Sequence, residues 1–500
     1  MPDLPTRPLS VPPQPLGSLL PRLDQARLTG DSDVAVTGIT HDSRSVRPGD
    51  LYVAREGAAT HGVEHVEAAA DAGAVAVLTD AESHERAAAT GLPVVVVADP
   101  RVAIGPAAAW AYHDPAETLQ LFGVTGTNGK TTTAYLLEAG LRAAGRNPAL
   151  IGTIETRLGG RRLPSARTTP EATDLQALLA VLREACADSV AMEVSSHALA
   201  LDRVGGLRFD VALFTNLSQD HLDFHPDMAS YYAAKARLFT PELSRQAVVC
   251  IDDEWGQRLA REAEVPVTTV GRRGAEWVRT DEPASGRCRL VGPEAEDVWL
   301  TTSLAGTVNL ANAAIAYVAL RRVGADADAV RRGIAELAGV PGRMERVEAG
   351  QPFAVLVDYA HTPAALAALI ATARELAGGH RVIVVVGCGG DRDRAKRPQM
   401  GNTAATADLA ILTSDNPRSE DPAAILDAMR SGVPAGAEVT SILDRRVAIE
   451  HAIDAARTGD VVVIAGKGHE QGQEIAGVVS PFDDRLVARE ALSHRRAGAS

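Results

Sequence analysis

An apolar strand that leads through a glycine-rich turn into a helix constrains this chain more than any other feature. Residues 119–145 read LQLFGVTGTNGKTTTAYLLEAGLRAAG. At such a turn backbone N–H groups and the helix dipole bind phosphates, so we expect Lys130 to reach the outer phosphates of a nucleotide and the Thr131 hydroxyl to hold Mg²⁺. Val124 stands where the strict phosphate-loop pattern has glycine, which makes the turn a variant. The segment predicts a parallel sheet with a phosphate site at one edge.

Strands and helices continue to alternate on both sides of this segment. A chain of 500 residues, at about 150 per domain, predicts three domains. Continuous runs such as RVIVVV and VVVIA indicate strands covered on both faces, and therefore parallel sheets. The predicted fold class is α/β, with a small N-terminal α/β domain, a central P-loop-type domain with a parallel sheet and a C-terminal Rossmann-like domain. We expect a disordered Pro-rich tail over 1–20 and domains over 21–114, 115–342 and 343–500.

Composition excludes several other classes of protein. No apolar run approaches the ~20 residues that span a bilayer, and the N-terminus has no apolar signal segment. The formal net charge of −14 opposes binding to nucleic acid. The four cysteines include no CxxC pair, which argues against a zinc site or a disulfide framework. We therefore expect a cytoplasmic protein with reduced thiols and neither a nucleic-acid nor a membrane partner.

Lysine is unusually scarce in this chain. Among the 50 basic residues only four are lysines, at positions 130, 235, 396 and 467. An amine is a compact charge that can lose its proton, whereas a guanidinium stays charged, so the two residues are not interchangeable. Either these positions need an amine or they are accidental survivors of a drift towards arginine. Each is a candidate functional residue.

Polar side chains follow two further strands of the central domain. Glu193 ends the strand in SVAMEVSSH, where a carboxylate can bind Mg²⁺, and His221 lies in TNLSQDHLDFH after the next strand. Ser195 is not a nucleophile by this pattern, because no G-x-S-x-G turn surrounds it. His221 and His225 have the i, i+4 spacing of a zinc pair, but the segment resembles a loop more than a helix. A magnesium and phosphate site is the favoured interpretation.

Lys235 has two interpretations. It lies in the predicted helix MASYYAAKARLF, where a lysine usually exposes its amine and lays its stem along an apolar face. Near a phosphate site a neutral lysine amine could instead add CO₂, and the carbamate would offer oxygen ligands to Mg²⁺.

Three loops of the last domain each follow a strand. GCGGDRDRAKRP, TSDNPRSEDP and AGKGHE bring Arg392, Asp415, Arg418 and Glu470 towards one sheet edge. Arginine binds carboxylates in a bidentate manner and acidic residues accept hydrogen bonds from ammonium groups, so a shared pocket would suit a zwitterionic ligand. Turn formation alone also explains DNP and GKG.

Taken together, the motifs resemble those of the Mur ligases from about Val36 to Pro481. They read GVTGTNGKTTT, MEVSSHAL, TNLSQDHLDFH, YYAAKARLF, NLANAAIA, DYAHTP, GCGGDRDRAKRP, SDNPR and GKGHE. Within that family the chain is similar to the members that add meso-diaminopimelate as the third residue of the peptidoglycan peptide.

The resemblance implies an ATP-dependent ligase that forms an amide bond. ATP would phosphorylate the γ-carboxylate of D-Glu in UDP-N-acetylmuramoyl-L-alanyl-D-glutamate, and the diaminopimelate amine would attack the acyl phosphate. The implied cofactors are Mg²⁺ and ATP as co-substrate. The implied partners are these small molecules alone, the first domain would bind the UDP group, and the protein would be a monomer.

The resemblance also implies roles for individual residues. The catalytic residues would be Lys130, Glu193, His221 and Lys235. The ATP contacts would be Gly126, Thr127, Asn128, Gly129, Lys130, Thr131, Thr132, Asn309, Arg343 and Asp358. The magnesium ligands would be Thr131, Glu193, His221 and carbamylated Lys235. The nucleotide-sugar dipeptide would contact Ser43, Thr168, Thr169, Ser195 and Arg203. The diaminopimelate would contact Arg392, Asp415, Asn416, Pro417, Arg418, Gly466 and Glu470.

Two alternatives compete with this interpretation. A folylpolyglutamate-synthase-like enzyme would share the ATP loop and the carbamate, but HDSR in the first domain and SDNPR in the last argue against it. A nucleotide-binding protein without catalysis could keep the fold, but it would be expected to lose Lys130, Lys235 or His221, and all three are present. The arginine of SDNPR, Arg418, is absent from lysine-adding relatives, which implies that it selects diaminopimelate.

Overall fold

Three large sheets follow one another along the described part of the chain, which also has two sheets of two strands each. The computed structural model describes residues 3–57, 60–165 and 167–498. Residues 1 and 2 of the predicted tail, and residues 499 and 500 of the predicted last domain, lie outside the described residues. The three large sheets have five, eleven and six strands, and helices cover them. The predicted α/β class is confirmed.

The first sheet has five strands, of which four are parallel. Its order is Arg27–Thr29, Val94–Val96, Ala76–Thr79, Asp50–Val53 and Gly38–Thr40, and only the first strand is antiparallel to its neighbour. The α-helices of this region are Val66–Asp71, His84–Ala88 and Pro100–Ala111.

The Pro-rich N-terminal segment packs against both the central and the first domains, with Leu4 in the core of the central domain. Leu4 is 3% exposed, and Arg7 forms an ion pair of 2.7 Å with Asp50. Gln14–Pro15 pairs with Ala35–Val36, and the 3₁₀ helix Leu16–Arg22 contributes buried leucines to the core of the first domain. The prediction of a disordered tail is therefore wrong for these residues, because long-range contacts that composition does not reveal hold the segment in place.

The central sheet is parallel in its middle and antiparallel at both edges. The order is Arg161–Pro164, Glu155–Leu158, Pro148–Ile151, Ser189–Glu193, Gln120–Thr125, Val211–Phe214, Ala247–Cys250, Val267–Gly271, Trp277–Glu282, Arg287–Val291 and Asp297–Thr301. The helices are Lys130–Ala143, Ala172–Glu184, Ser196–Ala200, Met228–Ala236, Glu254–Glu262, Thr307–Arg322 and Ala327–Glu336. The strands from Pro148–Ile151 through Trp277–Glu282 form the predicted parallel sheet, while the antiparallel edge strands are an addition.

The last sheet has five parallel strands and one antiparallel edge strand. Its order is Glu345–Arg346, Ala354–Asp358, Val461–Ala465, Val382–Val386, Leu409–Leu412 and Val439–Ser441. The helices are Pro363–Ala377, Lys396–Ala404, Pro422–Arg430, Arg445–Ala455 and Asp484–Gly498, and a hairpin joins Gly472–Ile475 to Val478–Pro481.

Two further findings bear on the class of protein. Within the described ranges, no helix combines the length and apolarity needed to cross a membrane. All four cysteines are free thiols, and three of them are buried, with Cys186 exposed.

Candidate active site

The turn between Gln120–Thr125 and Lys130–Ala143 forms the predicted phosphate loop. Gly126 has φ of +146°, and a Cβ there would collide with the Thr215 hydroxyl, so only glycine fits. The Lys130 amine donates to the carbonyl oxygens of Gly126 and Thr127 at 2.9 and 2.8 Å. The loop therefore holds its lysine against its own backbone at the start of a helix, where phosphate binding is favourable.

A buried carboxylate lies beside this loop. Glu193, at the end of the neighbouring strand, is 1% exposed. Its Oε2 accepts hydrogen bonds from the hydroxyls of Thr131 at 3.0 Å and Thr153 at 3.1 Å. A carboxylate with two hydroxyls is a set of hard oxygen donors that suits Mg²⁺. These residues fit the predicted ion.

Lys235 is buried next to the same loop and is not a surface lysine. Its side chain is 1% exposed, and Nζ donates to the Gly126 carbonyl at 2.8 Å and lies 4.6 Å from the centre of the Tyr231 ring. Burial and the nearby charge of Lys130 hold the pKa of the Lys235 amine well below its usual range, against the opposing effect of Asp220. A neutral amine is the form that reacts with CO₂, so the environment fits the carbamate interpretation.

His221 lies on the loop after Val211–Phe214. Burial, opposed by Asp220 and assisted by His197, Lys130 and Lys235, lowers the pKa of His221 to about 3, so the ring is neutral at neutral pH. Among the residues that the structure describes, no three His, Cys, Asp or Glu side chains form a metal-binding group. The zinc alternative at His221 and His225 therefore gains no support.

A cavity beside the phosphate loop, here called the loop cleft, has a volume of about 440 Å³. Arg343, from the start of the last domain, donates to the Thr131 hydroxyl at 3.0 Å across the cleft. Asp358 accepts hydrogen bonds from the backbone N–H groups of residues 344 and 360 at 2.7 and 2.8 Å. The predicted ATP residues that line the cleft are Asn128, Gly129, Thr131, Thr132, Asn309, Arg343 and Asp358.

Asn312 also lines the loop cleft and was not among the predicted residues. Its amide donates to Asn309 Oδ1 at 3.3 Å, one helical turn away. The sequence could have indicated this residue, because Asn312 is the second asparagine of NLANAA. It follows Asn309 by three residues, and this spacing places both side chains on the same face of a helix.

A second cavity, here called the central cavity, lies between the central and last domains and has a volume of about 410 Å³. It brings together residues that the sequence assigned to two different substrates, together with His221. From the dipeptide group these are Thr168, Ser195 and Arg203. From the diaminopimelate group they are Arg392, Asp415, Asn416, Arg418, Gly466 and Glu470.

Two predicted ligands lie behind the wall of the central cavity. Thr169 is fully buried, donates to the Glu193 carbonyl at 2.9 Å and accepts from the Ser195 N–H at 3.1 Å. Pro417 is not among the lining residues, although its neighbours on both sides are. Thr169 therefore holds Ser195 in place instead of facing the cavity.

Arg418 has an unusual backbone. Its φ is +54°, its Nη1 donates to the Gly390 carbonyl at 2.7 Å, and its N–H donates to the Glu474 carbonyl at 3.0 Å. A non-glycine residue in the left-handed region is uncommon and marks a position held by its surroundings. The Gly390 loop and the strand Gly472–Ile475, whose Glu474 carboxylate lies 3.7 Å from Nε, thus hold Arg418 at the cavity wall.

A third cavity, here called the outer cavity, lies between the first and central domains and has a volume of about 1250 Å³. Ser43 lines it, together with His41 and Arg55 from the first domain and Glu171 from the central domain. Arg167 lines both this cavity and the central cavity. An elongated ligand could therefore reach from Ser43 to the central cavity.

Two lysines without a predicted role also lie at the central cavity. Lys396 lines it and approaches Asp220 of the central domain at 3.7 Å. Lys467 is fully buried and donates to Asn416 Oδ1 at 2.9 Å and Glu470 Oε2 at 3.0 Å. The scarcity of lysine in the sequence marks both residues as candidate functional residues.

Asp220, at the junction of the central and last domains, is another residue to which the sequence assigned no role. His361 of the last domain lies 3.3 Å from its carboxylate. Burial alone would raise the pKa of Asp220, but His361, His221 and Lys396 together hold it well below its usual range. The ionised carboxylate therefore joins the two domains beside the cavity.

Family models match most of the chain. The model described as "Mur ligase family, catalytic domain" matches residues 35–112, "Mur ligase middle domain" matches 124–320, and "Mur ligase, glutamate ligase domain" matches 342–468.

Individual proteins match over nearly the whole length. The UDP-N-acetylmuramoyl-L-alanyl-D-glutamate--2,6-diaminopimelate ligase of Streptomyces avermitilis is 53% identical, with 98% of each chain covered. The ligase of the same name from Corynebacterium glutamicum is 46% identical, with 94% of each chain covered. A solved structure of a ligase with this name is 31% identical with a TM-score of 0.67, and 97% of this chain and 99% of that chain are covered. A MurF ligase from Thermotoga maritima, solved with ADP, shares the fold at 19% identity, with a TM-score of 0.64 and coverage of 92% and 99%.

Proposed function

The chain belongs to the Mur ligase family, and we propose that it joins meso-diaminopimelate to the D-Glu γ-carboxylate of UDP-N-acetylmuramoyl-L-alanyl-D-glutamate at the expense of ATP. The observation that carries the proposal is the central cavity. It borders the phosphate-loop domain, shares Arg167 with the outer cavity and contains the Arg418 loop. In this proposal the nucleotide sugar and the amino acid meet in the central cavity, which His221 and Ser195 of the phosphate-loop domain also line.

Phosphoryl transfer from ATP is the first step of the proposed reaction. The carboxylate oxygen attacks the γ-phosphorus, and ADP leaves with the electron pair of the broken bond. This step requires positioning and neutralisation of negative charge more than covalent help from the protein. Lys130, whose amine lies against the loop carbonyls, and Arg343, which donates to the Thr131 hydroxyl, are suited to neutralise the phosphates.

Magnesium and a carbamate complete the proposed ATP site. Thr131 and Glu193 would hold Mg²⁺, with His221 and a carbamate on Lys235 nearby. When bound, the ion supplies positive charge at the phosphates. The carbamate would form when the neutral Lys235 amine adds to the carbon of CO₂ and releases one proton. The hard oxygens around Glu193 and the buried amine support this assignment.

Amide formation is the second step. The neutral diaminopimelate amine attacks the acyl carbon, the bond from that carbon to the phosphate oxygen breaks, phosphate departs with the electron pair, and the nitrogen releases one proton. Ser195 and Arg203, which line the central cavity, would hold the muramoyl peptide. Arg418 would pair with the distal carboxylate, and Asp415 and Glu470 with an ammonium group. L-Lysine lacks that distal carboxylate, so it would not make this contact with the half-buried guanidinium and would bind less well.

The remaining assignments follow from the substrates. We propose that the enzyme acts in the cytoplasm as a monomer, with small molecules as its only partners. Ser43 at the outer cavity would lie on the uridine side of the nucleotide sugar.

A phosphate-release assay tests the proposal. The full chain is mixed with ATP and Mg²⁺, then with the UDP-sugar dipeptide, and finally with meso-diaminopimelate, LL-diaminopimelate or L-lysine. We expect phosphate release and a tripeptide product, identified by mass, only when the nucleotide sugar and diaminopimelate are both present. Release that does not depend on these substrates, or none at all, would overturn the proposal.

A further inference from the structure

Lys467 is a buried cation that the proposed reaction does not use. It is fully buried at the carboxyl end of the strand Val461–Ala465, within the turn GKGHE. Burial of a charge costs free energy unless the charge is paired and hydrogen bonded. Lys467 is one of only four lysines in the chain. Because Lys467 is fully buried, it has no role at the surface, and its function must be inferred from the groups that it contacts.

The backbone around Lys467 is built to turn its side chain inwards. The glycines on both sides have positive φ, +113° at Gly466 and +53° at Gly468. A Cβ at Gly466 would lie 2.5 Å from Asp415 Oδ2, and one at Gly468 would lie 2.7 Å from the Gly342 carbonyl oxygen. Other side chains would strain this turn, so the turn and its direction depend on both glycines.

Both partners of Lys467 line the central cavity. Its amine donates to Asn416 Oδ1 at 2.9 Å and to Glu470 Oε2 at 3.0 Å. Asn416 Nδ2 donates to the same Glu470 oxygen at 2.8 Å. Two donors therefore bind Oε2, while no hydrogen bond among the described residues uses Oε1, which is left for a ligand.

The second partner is also fixed by this arrangement. Asn416 Oδ1 accepts from Lys467 and from the Glu474 N–H at 3.1 Å, which sets the orientation of the amide. Asn416 precedes Pro417 and Arg418, so the amine is linked through one side chain to the loop that carries the guanidinium. Lys467 itself is not among the residues that line the cavity.

We infer that Lys467 is a positioning residue for amino-acid selection: it fixes Glu470, directly and through Asn416, so that the unused Oε1 of Glu470 receives an ammonium group of the amino-acid substrate. This inference rests on the proposed function. A compact amine suits the position, because an arginine fork is larger and would need room that a fully buried site beside two glycines does not offer. Lys467 acts through its partners and does not touch the substrate.

The test is a KM comparison in the full-length enzyme. For Lys467→Met, we expect the KM for diaminopimelate to rise by about tenfold or more, because hydrogen bonds to charged groups are lost. The KM values for ATP and for the UDP-sugar dipeptide should remain within about twofold of the wild-type values. Lys467→Gln keeps an N–H donor in the buried space, so we expect it to fold and to show an intermediate KM.

Two controls separate positioning from a general effect on stability. Arg381→Met removes an ion pair with Asp460 at the opposite end of the same sheet, and it should lower the melting temperature without a selective change in the KM for diaminopimelate. In a double-mutant cycle with Glu470→Gln, the combined loss should be smaller than the product of the single losses. Multiplicative losses would overturn the inference.

The outcomes also separate this inference from the proposed function. If the wild-type enzyme does not ligate diaminopimelate, the proposed function fails. If the wild type ligates it and both Lys467 variants keep the wild-type KM, or change all three KM values together with the melting temperature, the positioning role of Lys467 fails alone.

Discussion

We expect the loss of Arg418 to impair the selection of the amino-acid substrate and to leave ATP binding unchanged. Its guanidinium lies at the central cavity but not in the loop cleft. Arg418→Ala or Arg418→Lys should lower kcat/KM for diaminopimelate by about tenfold or more, since a hydrogen bond to a charged group contributes about 1.5–3 kcal/mol. Steady-state kinetics and calorimetric titration with an ATP analogue would measure the two properties.

The control for Arg418 is Arg430→Ala. Arg430 ends the helix Pro422–Arg430, is exposed and donates to the Ser441 hydroxyl, so its loss should leave both properties unchanged. Wild-type kinetics with diaminopimelate in either Arg418 variant would contradict the assigned selectivity.

The second prediction at this scale concerns the Lys235 amine. Lys235→Ala should abolish most activity, and short carboxylic acids such as acetate at high concentration should restore part of it, because they can supply the oxygens that a carbamate would supply. Initial rates with increasing acid concentration would measure the rescue. The buried position of the amine beside Gly126 gives the acid a defined space to fill.

Lys130→Ala is the matched control for this rescue. Its amine also donates to Gly126, but its expected partner is a phosphate and not a metal, so acetate should not restore its activity. Full activity of Lys235→Ala without added acid would contradict the carbamate interpretation.

At the scale of the element, the phosphate loop depends on the backbone of Gly126. Gly126→Ala should abolish ATP binding and lower the melting temperature, because its φ of +146° disfavours a side chain and the added Cβ would meet the Thr215 hydroxyl. Gly145→Ala offers a close control: its φ is also positive, at +80°, but nothing lies within 4 Å of an added Cβ. Equal effects of the two substitutions on ATP binding would contradict the role given to Gly126.

The elements that could be predicted from the sequence are those with a local signal. The strand Gln120–Thr125, its turn and the helix Lys130–Ala143 follow from an apolar run, glycines and a helical period. The Val-rich strands Val382–Val386 and Val461–Ala465 are likewise local, and they are parallel neighbours. Because the carboxyl ends of parallel strands share an edge, the gathering of polar loops there was also predictable.

Contacts between distant segments were not predictable in the same way. The ordered conformation of the N-terminal segment depends on the ion pair between Arg7 and Asp50. The antiparallel edge strands depend on strand pairings that no sequence motif indicates. Thr169 was assigned to a ligand, but its hydroxyl bonds to Glu193 and Ser195 behind the cavity wall. A sequence identifies residue types near a site, while the direction of each side chain follows from tertiary packing.

At the scale of the whole molecule, polar contacts join the central and last domains. Arg343 reaches Thr131, and Gln219 donates to Asp393 at 3.3 Å. Asp220 lies at 3.3 Å from His361 and 3.7 Å from Lys396. Polar junctions of this kind permit relative motion of domains, and a site divided between domains requires them to close over the substrates. The strength of this junction should therefore affect the rate of ligation.

Asp220→Asn tests that dependence. The substitution removes the charge that attracts His361 and Lys396, so the domains should populate a more open arrangement, and the affinity for substrates that bridge them should fall with the closed fraction. Loss of a hydrogen bond to a charged group corresponds to about tenfold in kcat/KM. Small-angle X-ray scattering should give a larger radius of gyration for the variant, and saturating substrates should return it towards the wild-type value. The control is Asp210→Asn, because the Asp210 carboxylate accepts from the Leu121 N–H and pairs with Arg245 within the central domain. This substitution should change neither the radius of gyration nor the rate. An unchanged radius and rate in Asp220→Asn would show that the Asp220 carboxylate does not hold the domains together.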